Sequence, residues 1–374
     1  MIEKKEQPFA ELPEALVEEM LSKSEQVGEG LFNSFKEIQE NKEKMRKQLQ
    51  DRNILKRDSD IGYPEIPTTC GVDGSYAVER LLATDLAACA AVAIEGLVPP
   101  SEKRFWPKPH HIPFIQPVKH DPDTATILRG LMFKMEIKLA TEAPHDIVFL
   151  DGSLATPLIR LNQAVNKILE TGDTPIGNKV AENFEEFLEC YKTILRATRT
   201  DKLWVGIPKY TTNREIGEEL GWLPYYDDRA ILTTILNPSE FTSPILLKQP
   251  NQPWHLKLLS GDMDRDFDDI IKRLYVIYYR PQSWSPALRV EIAPSIATNN
   301  SRIAVLLQGL KHQCGTPGIM EPYPLYMADR MVKHLGSAIP AFRQTATRRM
   351  AELYQGDIGD IVFSMHGYRT ESGR

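Results

Sequence analysis

Thr69-Cys-Gly-Val-Asp-Gly-Ser75 and Ile147-Val-Phe-Leu-Asp-Gly-Ser-Leu154 are the two stretches that decide how this chain is read. Each is a short apolar run that ends on Asp, with Gly directly behind it. Such a run, bounded by a turn former, predicts a buried strand. Asp73 and Asp151 are therefore expected at strand ends, with the glycine turning the chain away. If the two strands are neighbours, their carboxylates converge, and two carboxylates held by one sheet make a seat for a hard divalent cation.

Working outward, Leu12 to Arg52 reads as a long charged helix with apolar positions at Leu16, Met20, Val27, Leu31, Phe35, Ile38 and Met45, interrupted at Gly28 and Gly30. Strands are expected near 69–74, 78–85 and 88–95, an antiparallel meander that starts with Asp73. Residues 99–122, rich in Pro, His and aromatics, read as a long loop. A helix over 123–141 carries Glu136 close to its buried stripe. After the strand to Asp151 come helices at 154–170 and 179–199, a strand at 202–207, and helices near 213–220 and 230–236. Strands at 254–259, 273–280 and 286–293 follow, and helices at 300–310, 325–336 and 339–355 close the pattern. The expectation is an N-terminal helical arm (1–60), one mixed α/β domain (61–356) and a C-terminal tail (357–374).

The order of acids carries the chemistry. Asp73 lies on the first strand, Glu136 on the helix that follows the meander, and Asp151 on the next strand. A ribonuclease-H-like mixed sheet flanked by helices has this logic. Such a site holds one or two Mg²⁺ or Mn²⁺ ions through carboxylate oxygens, for hydrolysis of a phosphodiester. Each acid alone has a plainer reading: Asp before Gly is a turn former, and Glu136 a solvated helix residue.

Competing motifs are weak. There is no Gly-x-Gly-x-x-Gly fingerprint, Walker loop or Gly-x-Ser-x-Gly elbow. His110 and His111 are adjacent, so on an extended segment they point to opposite sides. The acidic run Gly261 to Asp269 lacks the glycine and terminal Glu of an EF-hand and reads as a helix start. Cys70, Cys89, Cys190 and Cys314 show no metal spacing. With few cysteines, an acidic helical N-terminus and no apolar run of about 18 residues, a cytoplasmic chain with no membrane span is expected. The net charge of −6 argues against a uniformly basic nucleic-acid binder, but not against a nuclease with a local basic channel.

With these residues in view, the chain resembles the NurA nucleases, partners of the HerA hexameric DNA translocase. The ordered set that carries the resemblance is Gly-Val-Asp-Gly-Ser75, Phe-Leu-Asp-Gly-Ser-Leu154, Val-Gly-Ile-Pro-Lys-Tyr210, Asp-Asp-Arg-Ala230, Tyr-Tyr-Arg-Pro281, Leu-Arg-Val-Glu-Ile292 and Tyr-Pro-Leu-Tyr-Met-Ala-Asp329. The resemblance implies a ribonuclease-H-like core, metal-dependent (typically Mn²⁺) DNA cleavage with single-strand endonuclease and 5′-to-3′ exonuclease action, and a homodimer seated on a HerA-type ATPase. It also implies a role in DNA end resection, repair or antiphage defence. Carried over residue by residue, Asp73, Glu136 and Asp151 match the acidic site and Tyr323 the aromatic that borders it. Asp329, on the following helix, is expected as a fourth ligand.

Lys209, Arg229 and Arg289 are expected to face DNA phosphates, although Arg289 and Glu291 share a strand face and have the alternative of pairing with each other. Two rivals stand beside the nuclease reading. One is a catalytically silent scaffold that caps or regulates a DNA translocase; the other is a related enzyme acting on RNA or a hybrid strand.

Overall fold

The structure, a computed structural model, describes residues 8–97, 104–248 and 261–373. Two helices open the chain, α1 (Pro8–Ser22) and α2 (Ser24–Asp51), followed by the short strand β1 (Leu55–Arg57). The break falls at Lys23, and helix α2 runs straight through Gly28 and Gly30, where the sequence reading had placed the interruption. The described side chains in the first half of α2 are exposed; burial starts at Ile38 and continues with Met45 and Leu49.

The meander has two long strands where three short ones were expected. These are β2 (Thr69–Leu81) and β3 (Asp85–Glu95), paired antiparallel from Cys70↔Glu95 to Arg80↔Asp85. The predicted loop contains a third strand, β4 (His110–Val118), antiparallel to β3. Its Pro113 and Pro117 hid it from the pattern. Proline costs a sheet nothing where the strand is an edge, and β4 is one. Residues 254–259, expected as a strand, lie outside the described residues.

Next come α3 (Thr124–Glu142), β5 (Ile147–Asp151), α4 (Thr156–Thr171), α5 (Pro175–Ala181), α6 (Phe184–Arg196) and β6 (Leu203–Ile207). The single helix expected over 179–199 is thus two, parted at Asn183, which sits at φ 51°. Then follow α7 (Glu215–Leu220), α8 (Asp228–Ile235), β7 (Glu240–Thr242), β8 (Ile245–Leu246), α9 (Gly261–Ile271), β9 (Tyr275–Arg280) and β10 (Leu288–Ile292). The chain ends with α10 (Pro294–Ala297), α11 (Asn300–Gln313), α12 (Tyr323–Leu353), α13 (Ile358–Ser364) and β11 (Gly367–Gly373). Helix α12 is continuous through Pro340, where two helices were expected.

All the described strands join one sheet in the order β1-β7-β9-β10-β6-β5-β2-β3-β4, with β11 on β2 and β8 on β9. β2 and β5 are parallel, as are β5 and β6; the other pairs are antiparallel. This is the ribonuclease-H-like arrangement: a meander whose first strand is continued sideways by parallel strands.

Every residue of β2 except Arg80 is buried, because both faces are covered. Even-numbered positions such as Val72, Tyr76 and Val78 join the core that contains Leu128, Met132 and Met135 of α3. Odd-numbered Ala77 and Leu81 pack with Ile339 of α12. Gly71 is what lets α12 settle here: a Cβ on it would lie 2.4 Å from the backbone carbon of Pro324.

Candidate metal centre

The two Asp-Gly-Ser tripeptides have different backbones. Asp73 is not at a strand end. It is the fifth residue of a 13-residue strand, with Gly74 and Ser75 paired onward to Ala91 and Ala90. Asp151 does end its strand, and Gly152 turns the chain at φ 106°, a region that favours glycine. The parallel pairing of β2 with β5 runs from Thr69↔Ile147 to Val72↔Leu150. Asp73 and Asp151 therefore come next in register, where β5 leaves the sheet.

Asp73 is odd-numbered and lies on the α12 face. Its cross-strand partner Val92 packs against Ala328 and Val332 of that helix. One turn of α12 carries Asp329 to the same place. Ligand oxygens of Asp73, Asp151 and Asp329 all lie within 4.8 Å of one another. Asp73 and Asp151 are buried, and the Asp329 side chain is 16% exposed. The group contains only carboxylates, hard oxygen donors that suit Mg²⁺ or Mn²⁺ better than zinc.

Glu136 is buried too, yet stands outside this group. It approaches β2 from the α3 face. A Cβ at Gly74 would lie 2.4 Å from Glu136 Oε1, so the missing side chain makes a notch through which the carboxylate reaches the strand. Tyr323 opens α12, half-buried, just before the Pro324 turn that rests on Gly71.

Lys209, expected to face DNA, points into the acids. Its Nζ lies 3.1 Å from Asp151 Oδ2, 3.0 Å from Glu321 Oε2 and 3.4 Å from Asp329 Oδ1. Burial works against its charge, but Asp151 and Glu321 outweigh it, and the ammonium is held above its ordinary range. Burial pushes the Glu321 carboxyl up despite Lys209. At Asp329 burial is overcome by the hydrogen bond from Lys333 and the charge of Lys209, so this carboxyl is lowered. Glu321 is a participant that reading the sequence missed. It sits in the Gly/Pro segment 314–322 without an apolar pattern around it, and no residue-level signal marked it.

Arg229 donates from Nε to the carbonyl of Ala287 at 3.0 Å and from Nη1 to the carbonyl of Lys209. It clamps the backbone that presents Lys209, and it lines, with Lys209, Tyr210, Thr211 and Thr212, a cleft of about 670 Å³. Tyr210 is 95% exposed there.

Arg289 is a correction. It is wholly buried, its two terminal nitrogens each 2.7 Å from Glu215 and its Nε 3.2 Å from Glu291, so it has no surface to offer a phosphate. Its carboxylate partners raise its pKa, although burial opposes them. The pair serves the metal centre in another way. Glu291 Oε2 accepts from Ser153 Oγ at 2.7 Å and from the Leu154 amide at 3.0 Å. It holds the turn directly behind Asp151.

His110 and His111 lie on the exposed edge strand β4, with Trp106 stacked on His110 at 4.1 Å between ring centroids. Neither belongs to the acid group.

Sheet order and acid centre together define a ribonuclease-H-like protein with a seat for a hard cation. A family model, the NurA domain, matches residues 67–334, and the chain belongs to that family. Among solved structures, the NurA nuclease from Sulfolobus solfataricus is similar at 14% identity, over 91% of this chain and 98% of that one, with a TM-score of 0.58. A second NurA crystal structure matches 91% of this chain and 99% of its own at a TM-score of 0.52. A structure of NurA with manganese matches 86% and 98% at 0.50, again with 14% identity. At this identity the likeness speaks for the fold. No curated protein matches the sequence. Among the described residues no helix is long and apolar enough to cross a membrane.

Proposed function

We propose that this protein is a metal-dependent DNA nuclease whose centre is Asp73, Asp151 and Asp329, with Glu136 approaching through the Gly74 notch. The observation that carries the reading is the convergence of three carboxylates from two adjacent parallel strands and a helix crossing one face. That donor set fits Mn²⁺, and a similar structure is of NurA with manganese. The ion supplies Lewis-acid activation of the phosphodiester and of the attacking water. The chain's own residues do the rest. Asp73 and Asp151, fixed by the sheet, and Asp329, fixed by α12, would hold the ion. Lys209 and Arg229 place positive charge where the cleft meets the acids, and phosphates of a DNA strand seat there. Tyr323 borders the strand.

The finer reading adds single-strand endonuclease and 5′-to-3′ exonuclease action, a homodimer, and a HerA-type hexameric ATPase that delivers duplex DNA for end processing, repair or phage defence. The family membership supports it. A row of exposed apolar residues on α1 and α2 (Leu16, Met20, Val27, Leu31) supports an assembly surface.

The test is cleavage of end-labelled DNA, RNA and hybrid strands with Mn²⁺, Mg²⁺ or chelator, with and without the ATPase. Asp73→Ala and Asp151→Ala are expected to abolish cutting. Variants that still cut DNA with Mn²⁺ overturn the assignment.

A further inference from the structure

Lys209 occupies the position of most consequence in the centre. Its ammonium touches Asp151 and Asp329, two of the three acids of the group, and also Glu321, which is not one of them. The placement is built rather than casual. Pro208 restricts the backbone entering Lys209, and Arg229 grips the Lys209 carbonyl from the other side. Lysine carries a compact charge on a flexible stem, so it can leave one carboxylate for another without rebuilding its surroundings.

A divalent ion bound by Asp151 and Asp329 needs the oxygens that this ammonium now neutralises, and the two cations repel. We propose that Lys209 is an exchangeable internal counter-ion. It neutralises the buried acids of the metal-free protein, yields Asp151 and Asp329 to the incoming ion, and is retained by Glu321 at the mouth of the cleft. The inference rests on the metal-centre reading above. It adds that metal occupancy is set by competition with a residue of the chain. It also adds that Glu321 is the docking point that keeps the displaced lysine beside the substrate cleft, since Glu321 lines the adjoining cavity with Lys209 and Arg229.

The exchange is tested by Mn²⁺ titration calorimetry on the full-length protein and on Lys209→Met, which keeps an apolar stem without charge. Lys209→Met is expected to bind Mn²⁺ at least about tenfold tighter, because the competing state is removed. Without metal it is expected to melt below wild type, since buried carboxylates lose their partner, and to gain more from added Mn²⁺. Lys333→Met is the control for simple loss of charge: Lys333 pairs with the same Asp329 at 2.6 Å but from a side chain that is 71% exposed. It is expected to change affinity by less than about threefold.

A second measurement does not depend on any variant folding. Acetic anhydride labelling of wild-type protein, read by mass spectrometry, is expected to modify Lys209 faster when Mn²⁺ is present. Equal or weaker Mn²⁺ binding by Lys209→Met, an equal gain from Lys333→Met, or labelling indifferent to Mn²⁺ overturns the exchange and leaves the metal centre standing. Wild-type protein that takes up no Mn²⁺ overturns the metal centre and the exchange together.

Discussion

Gly74 and Gly152 follow the two acids in identical tripeptides and do opposite work. Gly152 turns the chain at positive φ so that Asp151 stands at the end of its strand. Gly74 stays in the strand and opens a gap for Glu136. Gly74→Ala therefore tests Glu136 without touching a carboxylate. The new methyl meets Glu136 Oε1 at 2.4 Å and Met132 Cγ at 2.7 Å, so both must move. A displacement of about 1 Å at a catalytic group costs on the order of 100-fold in rate. The variant is expected to fold, to bind Mn²⁺, and to cut DNA that much more slowly. Wild-type cleavage by a folded Gly74→Ala protein removes Glu136 from the mechanism.

Arg289 is the second residue whose role is positional. Replacing it by Met strands Glu215 and Glu291 in a dry interior and is expected to cost about 3–5 kcal/mol in denaturant unfolding. Only a loss below about 1 kcal/mol, typical of exposed pairs, would show that the network is solvated.

At the scale of elements, α5 and β11 each depend on one arrangement. Lys134 of α3 donates to the carbonyls of Lys179, Val180 and Glu182 and so closes the C-terminal end of α5. Burial lowers its pKa from 10.5 to about 8. Between those values the unfolded chain binds the proton that the folded chain gives up, so stability rises with pH through this window. The cost of the buried ammonium is present at neutral pH and fades above about 8. Wild type compared with Lys134→Met is expected to gain in melting temperature between pH about 7 and about 10. A constant difference means that the lysine titrates normally.

β11 covers the far half of β2, pairing Gly373↔Tyr76 through Gly367↔Leu81, beyond the stretch that β5 reaches. Removing residues 356–374 bares that edge. Exposed strand edges recruit other chains, so light scattering is expected to show higher oligomers while Mn²⁺ binding persists. A monodisperse truncated protein would mean that the edge is protected in another way.

For the molecule as a whole, the apolar row on α1 and the first half of α2 is exposed among the described residues, and the first buried side chain described is Ile38. If this arm joins two copies, deletion of residues 1–37 is expected to convert a dimer to a monomer with an unchanged core melting transition. A truncated protein that remains dimeric places the contact elsewhere.

Much of the architecture was legible from periodicity. Helices α3 and α4, strands β5, β6, β9 and β10, and the order of the three expected acids all came from apolar spacing and turn residues. Three kinds of feature escaped. The polar strand β11, Gly-Tyr-Arg-Thr-Glu-Ser-Gly, is held by backbone pairing and carries no pattern. The edge strand β4 was masked by its prolines. Strand β2 runs past Asp-Gly-Ser, a tripeptide whose local chemistry favours a turn.

The chain by itself determined that two apolar runs would carry Asp73 and Asp151 on strands, because periodicity and local turn chemistry are written residue by residue; Asp329 on a late helix was expected only from the family resemblance. Only the tertiary structure decided that Asp73 sits mid-strand on the α12 face, that Glu136 comes from the opposite face, that Arg289 is buried, and that Lys209 and Glu321 join the acids. Those outcomes depend on which faces are covered and which charges meet between separate elements of the chain, and burial and ion pairing are properties of that meeting.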